Sequence, residues 1–303
     1  MAKDIRQRIE EGEFSQSAEI SASYLDEDLL IINDVKVLAH PDPVRLQMNM
    51  IASCLRGRMR LLVSGKTEVE IHAGQVFVCP PNNTLDLLEF SDDFECQAVC
   101  LTQRGLQGVL RSHINVWNRA MYVDKVSVIH LSEAEMNFYD KFTELVRLCL
   151  SADFSEQTLW KPYRREIVET LLKSAMLALC HSLTEQTEPA TTEPLSTTNE
   201  IFDRFLEILQ QSEVKHHPVE YFARQLCITP KYLSVVCKRH SDKTAIEWIT
   251  EYTLADISYY LRSTNKSIKE IAVLLGFTNT SFFGKYVREH FHMSPLKYRA
   301  SMR

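Results

Sequence analysis

Two short polar stretches in the last third of the chain carry the side chains best suited to bind another molecule. Each stretch is predicted to begin a helix and to point away from the core, so its side chains could reach base edges in a DNA groove. The candidates for base contacts are Lys231, Ser234 and Val235 in the first stretch and Thr280, Ser281, Gly284 and Lys285 in the second. Basic residues further along the same helices are better placed for phosphate contacts, and these are Lys238, Arg239 and Arg288. The competing interpretation of any single lysine or arginine is an ordinary solvated helix face.

A helix-turn-helix pattern, present twice, would position both stretches. In the first copy an apolar helix leads into a turn at Cys227-Ile228, and Thr229 is predicted to cap the next helix. The second copy follows about 49 residues later, with a turn at Gly276-Phe277 and Thr278 as the predicted cap. It opens with a capping box formed by Ser267 and Glu270.

A single helix over Ala245–Ser263 is predicted to join the two copies. Apolar residues recur along it at helical spacing and would form one face: Ile246, Ile249, Leu254, Ile257 and Leu261. Such a helix would be about 28 Å long, close to the ~34 Å that separates successive major grooves on one side of a duplex. Plain helical packing is the alternative for one helix-turn-helix, and the repeat favours DNA binding.

The charge of the chain is unevenly distributed. The formal net charge is −6, and it divides into about −10 over residues 1–199 and about +4 over residues 200–303. The positive excess therefore coincides with the repeated motif, where it would favour phosphate binding.

The repeated region resembles the C-terminal DNA-binding domain of AraC-type transcriptional regulators over about a hundred residues. The motifs that carry the resemblance are Ile268–Ala272, Gly276-Phe277, Ser281–Phe283 and Met293–Arg299. The chain departs from the family pattern at three pairs of positions. The family usually has arginine at Val235 and Lys285, phenylalanine at Cys237 and Val287, and glycine at Asp242 and His292. Asp242 and His292 are still expected to adopt a left-handed helix end, because Asp and His tolerate positive φ better than most residues. Val235 could make only apolar contact, for instance with a thymine methyl group.

The N-terminal half shows a different pattern, with short strands and regularly spaced turns that predict a small barrel or jelly roll. The turn residues Gly57, Gly65, Gly74, Pro80 and Pro81 also resemble the cupin-like sensor domain that many AraC-type regulators carry. We therefore predict an α+β chain of two domains, a cupin-like β-barrel with a helical dimerisation segment followed by an all-α double helix-turn-helix. The predicted boundaries are a mobile arm at 1–20, the sensor barrel at 21–130, the helical dimerisation segment at 131–183, a flexible linker at 184–199 and the DNA-binding domain at 200–303.

Helical periodicity returns after the predicted barrel. Ser132 and Glu135 predict a capping box at the start of one helix, and a second apolar helix is predicted from about Pro162. The resemblance implies that this helical pair mediates homodimerisation, while packing against the sheet is an equally weighted alternative. Double-stranded DNA and RNA polymerase are the other partners expected of such a regulator.

An effector site is suggested by Arg56, Arg58 and Arg60, which would share one face if the backbone stays extended. Such a face could bind an anionic small molecule through its carboxylate or phosphate. A solvated outer face is the favoured alternative.

Enzymatic chemistry is not expected, and neither is a cofactor or a bound metal. Metal-binding cupins carry a closely spaced histidine pair, whereas His40 and His72 have no partner at ligand spacing. The competing hypotheses are a metal-independent cupin-fold enzyme with a helical accessory domain, and an interaction protein that uses the helical pair alone. The eight cysteines are predicted to be reduced core residues, with a redox pair at Cys96 and Cys100 as the weaker alternative. No apolar run reaches the ~20 residues of a membrane span, and the N-terminus does not resemble a signal peptide, so we expect a cytoplasmic protein.

Overall fold

The computed structural model describes residues 3–4, 22–25, 28–39, 42–150, 163–187 and 197–301. It divides the chain into two compact units, Met1–Ala190 and Thr191–Arg303. We call the first the sheet unit and the second the helical unit. The chain is therefore an α+β protein of two domains, with its sheets in the N-terminal part and its helix-turn-helix motifs in the C-terminal part.

Two sheets form the sheet unit. Its strands are β1 (Lys3–Asp4), β2 (Ala22–Leu25), β3 (Leu29–Ile32), β4 (Val44–Arg45), β5 (Asn49–Arg56), β6 (Arg58–Val63), β7 (Thr67–His72), β8 (Gln75–Cys79), β9 (Thr84–Phe90), β10 (Glu95–Leu101) and β11 (Val128–His130). One sheet has the order β1-β4-β9-β6-β7, and the other has the order β11-β8-β5-β10-β3-β2. Both sheets are open, so the described strands do not close into the predicted barrel.

The chain passes from one sheet to the other at Gly57. This residue separates β5 from β6 and has φ +69, a conformation that glycine adopts without strain. A Cβ atom at this position would lie 2.8 Å from the Cα of Phe94. The break in extended backbone at Gly57 is the physical reason why two strands that follow each other directly belong to different sheets.

A shared core lies between the sheets. Met50, Ala52 and Cys54 of β5 belong to the same buried cluster as Met59 and Leu61 of β6. Because successive residues of a strand point to opposite faces, the residues that alternate with Met59 and Leu61 face solvent. Arg58 and Arg60 are therefore exposed.

Helices complete the sheet unit. They are α1 (Gln103–Leu110), α2 (Ile114–Tyr122), α3 (Glu133–Leu150) and α4 (Arg164–Thr187), with a short 3-10 helix at Val35–Leu38. The predicted capping box of α3 is confirmed, since the Ser132 N–H donates to Glu135 Oε2 at 2.7 Å and the Glu135 N–H donates to Ser132 Oγ at 3.3 Å. Tyr139 Oη donates to the Ala175 carbonyl at 2.7 Å and joins α3 to α4.

Helix α4 is long and apolar enough to cross a membrane by length and composition alone. Within the described residues, Arg164–Gln186 reaches a mean hydropathy of 1.2, and 44% of its most apolar window is buried. Core helices of soluble proteins meet the same criterion. Val168, Leu172 and Leu179 are buried within the unit, as expected of a helix that packs against α1, α2 and α3.

The helical unit contains α5 (Thr197–Gln211), α6 (Val219–Gln225), α7 (Pro230–Ser241), α8 (Ala245–Ser263), α9 (Ile268–Leu274), α10 (Thr280–Phe291) and α11 (Pro295–Ser301). Residues 184–187 and 197–199 of the predicted linker are helical, and 188–196 lie outside the described residues. Of the predicted arm, only Lys3–Asp4 is described, and it pairs in parallel with Val44–Arg45.

Candidate nucleic-acid interface

The first helix-turn-helix consists of α6 and α7. Its turn depends on Cys227, which has φ +55, and on a hydrogen bond from the Ile228 N–H to the Ala223 carbonyl at 3.0 Å. Thr229 caps α7 as predicted, because its Oγ1 accepts from the Tyr232 N–H at 3.2 Å. Pro230 occupies the first turn of α7, where its missing N–H costs nothing.

The second helix-turn-helix consists of α9 and α10. Its predicted capping box is confirmed, since the Ser267 N–H donates to Glu270 Oε2 at 2.7 Å and the Glu270 N–H donates to Ser267 Oγ at 3.2 Å. The turn passes through Gly276 at φ +79, and the Phe277 N–H donates to the Ala272 carbonyl at 2.9 Å. This hydrogen bond corresponds to the one between Ile228 and Ala223 in the first motif.

The predicted cap of α10 is wrong. Asn279, one residue after Thr278, is the N-cap, and its Oδ1 accepts from the Phe282 N–H at 2.8 Å. The reason is that the second turn is one residue longer than the first. Cys227 corresponds to Gly276, whereas Thr229 corresponds to Asn279. Asparagine is among the strongest capping residues, so the longer turn still ends in a capped helix.

The C-terminal ends of α7 and α10 have the conformation that was predicted from the sequence. Asp242 and His292 have φ +56 and +55, which confirms the prediction that both adopt a left-handed helix end. The side chains that face inward from α7 and α10 are buried, and these are Leu233, Val236, Phe283 and Val287.

The candidate contact residues lie on the outer sides of α7 and α10. Lys231, Val235, Thr280, Ser281 and Lys285 are exposed, and Ser234 and Gly284 are partly exposed. The candidates for phosphate contacts are exposed as well, and these are Lys238, Arg239 and Arg288. Lys238 Nζ also donates to the Asp242 carbonyl and caps the C-terminus of its own helix.

Two exposed aromatic residues on these helices were not among the candidates for DNA contact predicted from the sequence. Tyr232 of α7 is 41% exposed and Phe282 of α10 is 61% exposed. Each immediately precedes the residue that anchors its helix in the core, Leu233 or Phe283. That shared position beside a buried anchor is the signal that could have identified them.

Helix α8 joins the two motifs and has the predicted bounds. A capping box that was not predicted fixes its start, since the Thr244 N–H donates to Glu247 Oε2 at 2.6 Å and the Glu247 N–H donates to Thr244 Oγ1 at 3.4 Å. The prediction that Ile246 lies on the apolar face is wrong, because it is 51% exposed. The buried face begins with Ala245 and continues through Trp248 and Ile249.

Polar contacts hold the first end of α8 against α7. Trp248 Nε1 donates to Ser241 Oγ at 2.8 Å. Lys243 Nζ lies 4.9 Å from the centre of the Trp248 ring and donates to both carboxylate oxygens of Glu251. Burial raises the pKa of Glu251, and the ammonium of Lys243 acts in the opposite direction.

The second end of α8 is held by α11. Ser258 Oγ and Tyr298 Oη are 2.8 Å apart in a buried hydrogen bond. Arg299 donates to the carbonyls of Leu261 at 3.3 Å and Lys266 at 2.6 Å. Ile257 and Leu261 of α8 also belong to the same buried cluster as Phe283 of the second motif. Both ends of the connecting helix are therefore packed against the motifs that they join.

Of the three arginines of the predicted effector face, only Arg58 and Arg60 lie on the same sheet. Arg58 and Arg60 line an open cleft of about 170 Å³ with Glu70, Glu89 and Phe90. Arg60 contacts Glu89 at 3.0 Å, and Arg58 contacts Glu70 at 3.4 Å and Glu89 at 3.6 Å. The positive charges of this face are therefore balanced by carboxylates.

Arg56 belongs to the other sheet, because the extended backbone that would have aligned it with Arg58 is broken at Gly57. Its nearest acidic partner is Glu95, at 3.9 Å, and Glu95 also accepts a hydrogen bond from Arg147 at 3.0 Å. The three arginines do not form a single wall.

The other reactive side chains considered in the sequence are histidines and cysteines of the sheet unit. No group of three or more potential metal ligands occurs among the described residues. His72 is exposed and lies 3.6 Å from Glu70, while His40 is outside the described part of the chain. Cys96 and Cys100 are buried free thiols, and burial raises the pKa of Cys100 to about 12. They are four residues apart on β10, about 13 Å at strand spacing, which is too far for a disulfide.

The chain is similar to several known proteins. Residues 222–301 match the family model HTH_18, a helix-turn-helix domain. The porin thermoregulatory protein EnvY of Escherichia coli K12 is 22% identical over 252 residues, which cover 80% of this chain and 94% of EnvY. The uncharacterized HTH-type transcriptional regulator YpdC of the same organism is 26% identical over 145 residues, which cover 46% of this chain and about half (47%) of YpdC. Among solved structures, fatty-acid-bound ToxT from Vibrio cholerae is 13% identical, covers 91% of this chain and 96% of ToxT, and has a TM-score of 0.35.

Proposed function

Because this chain belongs to the AraC-type family of DNA-binding transcriptional regulators, we propose that α7 and α10 enter successive major grooves on one side of a DNA duplex. The observation that carries this proposal is the single helix α8, which joins the two motifs and is fixed at both ends. Its nineteen residues span about 28 Å, which suits grooves separated by ~34 Å.

The side chains at the leading ends of α7 and α10 would determine the DNA sequence that is bound. Lys231 and Lys285 can donate to guanine O6 and N7, and Val235 can contact a thymine methyl group. Ser234, Thr280 and Ser281 supply hydroxyl groups, and Gly284 allows close approach of the backbone. Lys238, Arg239 and Arg288 would bind phosphates and orient the protein on the duplex.

The sheet unit would act as a sensor that controls DNA binding. We propose a cupin-like arrangement of its two sheets and a homodimer formed through the helical segment. Phe138 and Leu145 support the dimer, because they are 41% and 46% exposed and lie seven residues apart on α3, on the same side of that helix. A change at the dimer contact could then alter how the two copies engage DNA. RNA polymerase would be the further partner at a promoter.

An anionic effector at Arg58 and Arg60 would have to compete with Glu68, Glu70 and Glu89 for the same guanidinium groups. The balanced charge supports the alternative of a solvated outer face. Reversing the charge at Arg58 and Arg60 tests the effector site. Loss of an effector response would support it, and an unchanged response would leave the solvated face.

A cytoplasmic, non-enzymatic regulator fits these features best. The competing hypothesis of a metal-independent enzyme requires a clustered catalytic set. A salt-titrated DNA-binding assay separates the two hypotheses. An enzyme would show substrate turnover with absent or salt-insensitive DNA binding, whereas a regulator requires DNA affinity that falls steeply with salt.

Genome-wide footprinting of the full-length protein tests the DNA-binding proposal directly. Lys231→Ala and Lys285→Ala should each weaken specific binding about tenfold, within the 1–3 kcal/mol expected for a good base contact, with little loss of fold stability. Lys269→Ala, an exposed lysine on α9, is the matched control and should leave the footprints intact. Unchanged footprints in both test variants would remove these two residues from the interface.

A further inference from the structure

The segment Ser212–Pro218 joins α5 to α6, and we call it the strap. Although it leads into the first helix-turn-helix, part of it lies against the second. The His216 ring stacks on the Phe277 ring, with centroids 4.4 Å apart and an angle of 11° between the planes. The same imidazole meets the edge of Tyr286, on α10, at 5.0 Å. His216 therefore contacts both the turn of the second motif and its second helix, α10.

Val214 adds a second point of contact. A Cβ atom at Gly276 would lie 2.5 Å from Val214 Cγ1, so the turn of the second motif leaves no space between its backbone and the strap. Gly276 thus has two reasons to be glycine, its positive φ and this close approach.

The next residue of the strap contacts the first motif. His217 stacks on Tyr221 with centroids 4.0 Å apart and meets Phe222 at 6.3 Å. Phe222 is fully buried in the core of that motif. Consecutive histidines thus contact different helix-turn-helix motifs.

The strap is also fixed to the helix that precedes it. Lys215 Nζ donates to the Gln210 carbonyl at 2.6 Å and to the Ser212 carbonyl, and Ser212 Oγ donates to the Ile208 carbonyl at 2.8 Å. An ammonium at a helix C-terminus satisfies carbonyls that would otherwise have no intrahelical partner. The strap is therefore held at its origin as well as at both motifs.

Helix α8 holds each motif separately, so the mutual orientation of the motifs depends on contacts at its two distant ends. A segment that contacts both motifs adds a direct constraint on that orientation. We propose that Val214 and His216 set the separation and mutual orientation of α7 and α10, and thereby the half-site spacing in DNA that the protein accepts. This inference rests on the proposed function, since it requires that both second helices bind DNA.

Selection from a random DNA library with the full-length protein tests the proposal. Wild-type protein should select two half-sites at one dominant spacing. In His216→Ala and Val214→Ala, the share of sites whose spacing differs by one or two base pairs should rise about threefold, the size expected from losing one stacking or apolar contact. Each half-site should keep its base preferences. Identical spacing distributions in wild type and both variants would overturn the proposal.

Two further variants make the outcome specific. His217→Ala loses a stack on the first motif, to which the strap stays joined through the chain itself at α6, and should retain the wild-type spacing. His216→Phe keeps an aromatic ring on Phe277 and should retain it as well. If circular dichroism shows that His216→Ala does not fold, Val214→Ala decides the question, because it removes only two methyl groups. A wild-type protein that selects a single half-site would instead contradict the proposed function itself.

Discussion

Lys243 Nζ lies 2.8 Å and 3.0 Å from the two carboxylate oxygens of Glu251. This pair ties the residue before the N-cap of α8 to the second turn of the same helix. The Lys243 side chain is 9% exposed and that of Glu251 is 25% exposed. Neither charge is well solvated, so each stabilises the other at the junction between the first motif and the connecting helix.

Removing only one member of this pair should destabilise the helical unit. Lys243→Met leaves a largely buried carboxylate without its cation, which should cost up to about 3 kcal/mol. The double variant Lys243→Met/Glu251→Leu should recover most of that loss, because a buried pair replaced by apolar residues is often nearly neutral. Urea unfolding followed by circular dichroism measures both changes. A double variant as unstable as the single one would show that the destabilisation does not arise from an unpaired charge.

The position of the N-cap of α10 can be tested by changing two adjacent residues, Asn279 and Thr278. Asn279→Ala should destabilise the helical unit by about 1 kcal/mol, because the Phe282 N–H loses its acceptor. Thr278→Ala is the matched control and should change stability much less, since Thr278 is exposed and does not cap the helix. Thermal unfolding of the two variants measures the difference. A larger loss from Thr278→Ala would mean that the cap lies where the sequence had placed it.

The contrast between these caps shows what could be predicted from the sequence. The bounds of α8, the cap at Thr229 and the left-handed ends at Asp242 and His292 follow from local rules, because each depends on a few neighbouring residues. Thr278 and Asn279 are both good capping residues, and the choice between them depends on the length of the turn. Phe277 of that turn packs on Phe283 and on the distant His216, contacts that a local rule does not contain.

The larger departures from the sequence prediction also depend on distant contacts. Gly57 ends one strand and redirects the chain to the other sheet, so the arginines on either side of it separate. The stack of His216 on Phe277 joins residues far apart in sequence, and no local pattern marks it. Such contacts position the candidate interface, yet a single sequence shows only the residue types that it contains.

Salt dependence can separate the two classes of predicted DNA contact. Arg239→Gln and Arg288→Gln should each reduce the slope of log Kd against log salt concentration by about one, because each removes one phosphate contact. Each should also weaken binding to all DNA sequences by the same factor. Lys285→Ala should instead relax sequence preference at one position. Fluorescence anisotropy over a range of salt concentrations, with specific and scrambled duplexes, makes the comparison. A loss of sequence preference in Arg288→Gln would move that residue among the base contacts.

The stability of the helical unit should depend on pH through His216. Burial, and then the neighbouring charge of His217, lower the pKa of His216 below its ordinary value of 6.5. Since the folded state favours the neutral ring, His216 contributes stability above about pH 6.5, and that contribution is lost as the pH falls through the lower folded pKa. The ring faces Tyr286 on α10, and the ring centres of Tyr286 and His290 are 4.5 Å apart. Burial raises the pKa of Tyr286, so the tyrosine stays neutral in this range.

The comparison of wild type with His216→Phe isolates this contribution from other titrating groups. Phenylalanine keeps the stack but cannot be protonated, so the stability advantage of the variant over wild type should grow between pH 7 and pH 5. The midpoint of urea unfolding of the full-length protein, measured at each pH, gives the difference. His217→Phe removes the neighbouring charge that helps to lower the pKa of His216, so the contribution of His216 to the pH dependence of stability should be smaller in this variant. A difference between wild type and His216→Phe that stays constant across this range would show that protonation of His216 is not linked to folding.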